Sequence, residues 1–164
     1  MSSKQKGIDL PDVTAHRLPL TAHARTGTVL AFDFGTRRIG VAVGDFETRL
    51  AHPLTTIAHA DNRARFGAIA RLIAEWRPVL LVVGLPAHAD GSAHPVAQLA
   101  RRFAQRLRGR FGIAMEFVDE RLTSDDAGRA LRAAGAHGAR LKAALDPVAA
   151  QRILESYFAD AKQE

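Results

Sequence analysis

Apolar positions along the chain fall into continuous and periodic runs that predict a sheet with helices packed on it. Residues 28–34 (TVLAFDF) are apolar on both faces except at Asp33, the pattern of a central strand covered on two sides. After a turn at GTRR (35–38), IGVAVGD (39–45) reads as a second strand, close enough to form a hairpin with the first. A third extended piece, 48–57, contains Pro53 and therefore belongs near an edge. Either Asp61 or Asn62 can cap a helix reaching Trp76, with Phe66, Ile69, Ala70, Ile73 and Trp76 on its inner face and Pro78 as its stop. VLLVVGLP (79–86) is a continuous apolar strand. Ser92 reads as the cap of a helix to about Arg110, with Val96, Leu99, Phe103 and Leu107 at helical spacing. A strand at 113–118 leads into DER (119–121). A short helix near 124–134, a glycine-rich loop GAHGAR (135–140) and a last helix at 147–160 complete the pattern. Residues 1–26, short polar pieces with two prolines, read as a flexible tail before one domain at 27–160. The expected class is α/β: a five-stranded mixed sheet, three strands in an antiparallel meander plus two parallel ones, with helices on both faces.

Composition narrows the chemistry only a little. With 164 residues, 47% of them hydrophobic and 24% charged, the chain suits a globular protein with a sizeable core. A formal net charge of +6, mostly from arginine, favours a polyanionic partner. There is no cysteine, which excludes disulfides and thiolate zinc sites and is compatible with a reducing cytoplasm, the expected location. No apolar run approaches the roughly 20 residues needed to cross a bilayer, and residues 1–26 lack the apolar stretch of a signal peptide. No membrane partner is expected.

Three carboxylates change the picture more. Asp33 shares a strand face with Val29 and Ala31, and an isolated ionised carboxylate there would protonate or find a partner. Turn amides around Gly35 and Thr36 are the structural alternative. Glu120 follows the last inner strand at its carboxyl end, where sites of open α/β sheets gather. Pairing with Arg121 is its ordinary fate, and only one of Asp119 and Glu120 is expected to point inwards. Asp146 lies on one helix face with Ala149, Ala150, Ile153 and Tyr157. Standing before Pro147, it also reads as an N-cap. Together, the three acids can converge at one sheet edge. Close carboxylates repel unless a divalent cation relieves them. Hard oxygen ligands, without cysteine or a histidine pair at zinc spacing, point to Mg²⁺ or Mn²⁺, as one or two ions. Such a centre suits phosphodiester hydrolysis. Arg37, Arg38 and Arg121 lie beside these acids in the chain and are candidate substrate-phosphate ligands.

AFDFGTRRIGVAVGD, VVGLPAHADGS, VDERLTSDDA and LDPVAAQRILESYF, in that order, resemble the signature blocks of the YqgF (RuvX-like) family. The resemblance covers about residues 27–160. It implies an RNase H-like fold and a metal-dependent nuclease that processes the 5′ end of pre-16S rRNA in ribosome biogenesis, on precursor rRNA or the pre-ribosomal small subunit. The family is also described as Holliday-junction-resolvase-like, so branched DNA is the alternative substrate. A non-catalytic RNA-binding protein on the same fold is the alternative in kind. The implied catalytic and metal-binding acids are again Asp33, Glu120 and Asp146. The chain has LTS where the family reads LST, and Ala149 where many RNase H-like nucleases carry a fourth acid, with Asp125 and Asp126 as substitutes. Monomer and homodimer both remain open. A protein-kinase reading of DFG fails, because there is no glycine-rich loop, no HRD and too little chain for two lobes. A sugar-kinase-type ATPase reading of DFGT would need a second such domain.

Overall fold

The structure, a computed structural model, describes residues 26–58, 61–86, 95–120 and 138–161. The expected tail, the Ser92 cap and the short helix near 124–134 lie outside these residues, Thr26 apart. Five strands form one sheet: β1 (Thr28–Phe34), β2 (Ile39–Asp45), β3 (Ala51–Ile57), β4 (Leu80–Leu85) and β5 (Ala114–Asp119), in the order β3-β2-β1-β4-β5. β1–β2 and β2–β3 are antiparallel, β1–β4 and β4–β5 parallel. This is the five-stranded mixed sheet that the pattern predicts, with β1 at its centre; the RNase H-like fold is what the family resemblance implies. Pro53 does lie on an edge strand. The β2–β3 register jumps from Val41↔Thr55 to Ala42↔Pro53, so Leu54 is the extra residue of a bulge, where a missing N–H costs least.

Strand alternation sends two sets of side chains to opposite faces. Leu30 and Phe32 of β1, Val41 and Val43 of β2 and Leu81 and Val83 of β4 meet α1 (Asn62–Trp76) and α2 (Pro95–Phe111) through Phe66, Ile69, Phe103 and Leu107. Val29, Ala31, Ala42, Val82 and Val118 meet α3 (Gly138–Ala161) through Ala150, Ile153, Leu154, Tyr157 and Phe158. The first face is filled by large side chains, and aromatic contacts run through it from Phe32 and Phe34 to Phe103. The second has small residues on the sheet, so α3 packs closely over β1, β2 and β3.

In the helices one open choice is settled and two expectations are corrected. Asp61, not Asn62, caps α1, its Oδ1 accepting from the Ala64 N–H at 2.8 Å. Leu99 is 39% exposed; Ala100 and Ala104 are buried beside Phe103 and Leu107, so the inner stripe of α2 is shifted to the side of these alanines. The largest difference is at the C-terminal helix. It starts at Gly138 and encloses Pro147, so residues 138–140 of the expected loop are helical and Asp146 is not an N-cap. Strong helix formers across 139–145 (ARLKAAL) carry the helix to the proline. Beyond it, burial of the stripe from Ala150 to Phe158 outweighs the lost backbone hydrogen bond.

Gly40 marks where α3 comes closest. A Cβ placed there would overlap the backbone carbonyl of Asp146. Gly67, by contrast, is exposed inside α1 with open space around its missing side chain. Alanine should therefore act with opposite sign at the two positions. Gly40→Ala should destabilise by about 1–3 kcal/mol, because backbone rather than a flexible side chain must yield. Gly67→Ala should stabilise by up to about 1 kcal/mol through helix propensity. Denaturant unfolding of both variants measures the difference.

Candidate active site

β1 carries Asp33 on the α3 face, one alternation beyond Ala31 and directly across from Gly40 of β2. On the other side, β4 and β5 run parallel to β1, with Gly84 paired to Val118 and Leu85 to Asp119. Val118 packs on α3, so the same alternation puts Glu120 on the α3 face and turns Asp119 away. Gly84 makes room: a Cβ there would stand 2.6 Å from Glu120 Oε1 and would also press on Ile153 of α3. Asp146 lies one turn before Ala150 on the buried stripe of α3, and its backbone rests against Gly40, the partner of Asp33. Three distant stretches of chain thus deliver three acids to the carboxyl end of β1.

The acids perturb one another strongly. Glu120 and Asp33 are joined by a side-chain hydrogen bond. Burial, that bond, and the charges of Asp33 and Asp119 push the Glu120 carboxyl from 4.5 up to about 9. Glu120 is therefore protonated at neutral pH and donates to Asp33. Asp33 is also raised, chiefly by burial; the bond from Glu120 opposes the shift and the nearby Asp146 charge adds to it. Asp146 has a different partner: Arg38 Nε donates to its Oδ2 at 2.9 Å, both side chains being half-buried. Clustered raised carboxyls of this kind are a mark of functional sites.

The donor chemistry fits a hard divalent cation. Asp33 and Glu120 offer carboxylate oxygens in one dry spot, and a cation can take the place of the shared proton. As placed, no group of three acids or histidines among the described residues encloses an ion, since Asp146 is turned to Arg38. Arg38, expected as a substrate ligand, is thus engaged inside the site. Arg37 is exposed on the 35–38 loop. Arg121 lies outside the described residues, as do Asp125 and Asp126.

Sequence reading missed Arg65. It is buried, and its Nη2 donates to the Thr36 carbonyl at 2.9 Å, tying α1 to the loop that follows Asp33. The signal was available: Arg65 stands four residues before Ile69, on the apolar stripe of α1.

With this geometry in view, comparison with known proteins is direct. The sequence profile of the family described as "RuvX: Holliday junction resolvase" matches residues 27–160. A Nitrosomonas europaea protein named "Putative pre-16S rRNA nuclease" is 52% identical over 149 residues, covering 91% of this chain and 95% of that protein. A Methylobacillus flagellatus protein of the same name is 51% identical, covering 86% of this chain and 97% of its own. Among solved structures, Thermus thermophilus RuvC in complex with a Holliday junction substrate superimposes with a TM-score of 0.50, covering 84% of this chain and 96% of that one. At 18% identity that likeness concerns the fold alone. The sequence matches reach across the sheet and all three acids, and the chain belongs to the RuvX family.

Proposed function

We propose that this member of a nuclease family hydrolyses phosphodiester bonds with Mg²⁺ or Mn²⁺ held by Asp33, Glu120 and Asp146, and that its substrate is the 5′ end of precursor 16S rRNA in the cytoplasm. The observation that carries the reading is the half-buried, proton-sharing pair Asp33–Glu120. A fold gains no stability from two carboxyls in one apolar spot unless something replaces their water. When bound, the metal lowers the pKa of a water and offsets charge on the leaving oxygen. The protein's own residues do the rest. Asp33, on the central strand, is the fixed oxygen donor. Glu120 holds or gives up a proton at the same place. Arg38 holds Asp146 in position until the cation arrives, and Arg37 meets a substrate phosphate from the exposed loop.

Relatives named for pre-16S rRNA support the RNA substrate, while the family description names a four-way DNA junction. Incubating the protein with precursor rRNA and with a four-way junction, each with Mn²⁺ and with EDTA, separates the two. Cutting of the rRNA alone, abolished by EDTA, is expected. Cutting of the junction alone would replace the substrate, and no cutting of either would leave an RNA-binding protein.

Asp33→Asn should lower metal-dependent cleavage by at least about 10²-fold while RNA binding persists. A variant that cleaves at the wild-type rate would remove Asp33 from the chemistry.

The shared proton also sets a pH dependence of stability. The folded chain holds a proton on Glu120 that the unfolded chain releases above about 4.5. Stability of the metal-free protein should therefore decline as pH rises from there through about 9. Thermal unfolding in EDTA should show that decline, Glu120→Gln should flatten it, and Mn²⁺ should offset it in the wild type. A flat wild-type profile in EDTA would contradict the raised carboxyl.

A further inference from the structure

The other face of the same sheet edge carries a cleft that the acids do not use. It lies between the end of β1, the first turn of α1 and the middle of α2, with a volume of about 230 Å³. Phe34 and Phe103, rings 5.0 Å apart, form its apolar floor. Thr36 and Asn62 border one side, with Arg65 fixed to the Thr36 carbonyl; Arg102 and Arg106 stand on the other. The charge here is one-sided. α2 contains Arg101, Arg102, Arg106, Arg108 and Arg110 and not a single Asp or Glu.

Arg102 and Arg106 are the arginines of α2 that line the cleft. They are exposed and four residues apart, so two like charges face each other on one side of the helix. Such a spacing destabilises a helix unless an anion lies between the two. Arg110, by contrast, stacks on the Phe66 ring at 4.3 Å. Among the described residues no carboxylate pairs with Arg102 or Arg106. The position of the cleft gives the second argument. Asp33 points to the α3 face, while the adjoining Phe34 and Thr36 belong to the cleft, so the 35–38 loop is a wall common to both. A polymer crossing the sheet edge at Asp33 meets exposed Arg37 on that loop and then the cleft.

We infer that this cleft is a second phosphate-binding site, in which Arg102 and Arg106 hold a backbone phosphate of the nucleic acid at a distance from the bond that is cut. The inference rests on the nuclease reading for its polymer but concerns residues outside the acid cluster. Guanidinium groups match phosphate oxygens in geometry and charge, and contacts of this kind position a strand without reading its bases.

Binding of a fluorescent single-stranded RNA, followed by anisotropy over a range of salt concentrations in EDTA and in an Asp33→Asn background, tests it. Arg102→Ala/Arg106→Ala should weaken binding on the order of tenfold near physiological salt, with the salt slope shallower by roughly 0.7, as expected for one lost phosphate contact. Arg101→Ala/Arg108→Ala removes the same charge from the same helix outside the cleft and should leave the slope within about 0.3 of the unsubstituted value. Equal losses in the two double variants would reduce the effect to net charge and overturn the site, as would no loss in either or no binding by the parent protein. Thermal unfolding checks that the variants are folded. The outcome is independent of the cleavage assay: loss of metal-dependent cutting leaves this site standing, and loss of this site leaves the acids standing.

Discussion

The site depends on the cost of taking carboxyl groups out of water. Asp33 sits on the central strand, which is hydrogen-bonded between β2 and β4 and roofed by α3, so it is half-buried and water reaches it less freely than at the surface. Glu120 answers by keeping a proton and donating it to Asp33. The pair is a compromise between burial and charge, and two glycines make room for it. Gly40 yields its space to the backbone of Asp146 and Gly84 yields its space to Glu120. A larger residue at either position would separate the helix or the carboxylate from the sheet.

The two faces of the sheet divide the work accordingly. On the α1–α2 face, Phe32, Phe66, Phe103 and Leu107 interlock as a thick apolar layer. On the α3 face, Ala31, Ala42 and Ala150 bring backbones near enough for side chains from β1, β5 and α3 to meet. The first supplies rigidity and the second supplies proximity. The 35–38 loop passes from one to the other, fastened to α1 by Arg65 and to α3 by Arg38. These two long-range bonds pull the loop toward opposite faces, which fixes it over the edge where Asp33 emerges.

Much of this was legible in the residues. Continuous apolar runs around 29–32 and 80–83 announced doubly covered strands, Pro53 announced an edge, and the apolar stripe of α1 announced its inner face. Asp33 stood out because it broke such a run. What stayed hidden depends on tertiary contact. Pro147 looked like a helix start, since local propensity cannot register the packing of Ala150 to Phe158 that carries a helix through a proline. Leu99 looked internal because helical spacing alone does not fix the rotation of a stripe, and small alanines at 100 and 104 made the closer fit. The bond from Arg38 to Asp146 stayed hidden because nothing near Arg38 in the sequence points to a residue 108 positions away.

That ion pair also explains how the site can change state without unfolding. Arg38 and Asp146 are both half-buried and joined by one charge-assisted hydrogen bond, an interaction near the weak end of the range for ion pairs because water still screens it. The Asp33–Glu120 pair has no such freedom, since removing its proton leaves two buried charges face to face. One half of the acid cluster is therefore rigid and the other adjustable. In the proposed reaction Asp146 would exchange Arg38 for a metal ion at small cost, and its backbone, pressed on Gly40, would keep it at the site. An arginine suits that proposed duty better than a lysine: its planar fork has further N–H groups to offer a phosphate once the carboxylate is taken up elsewhere.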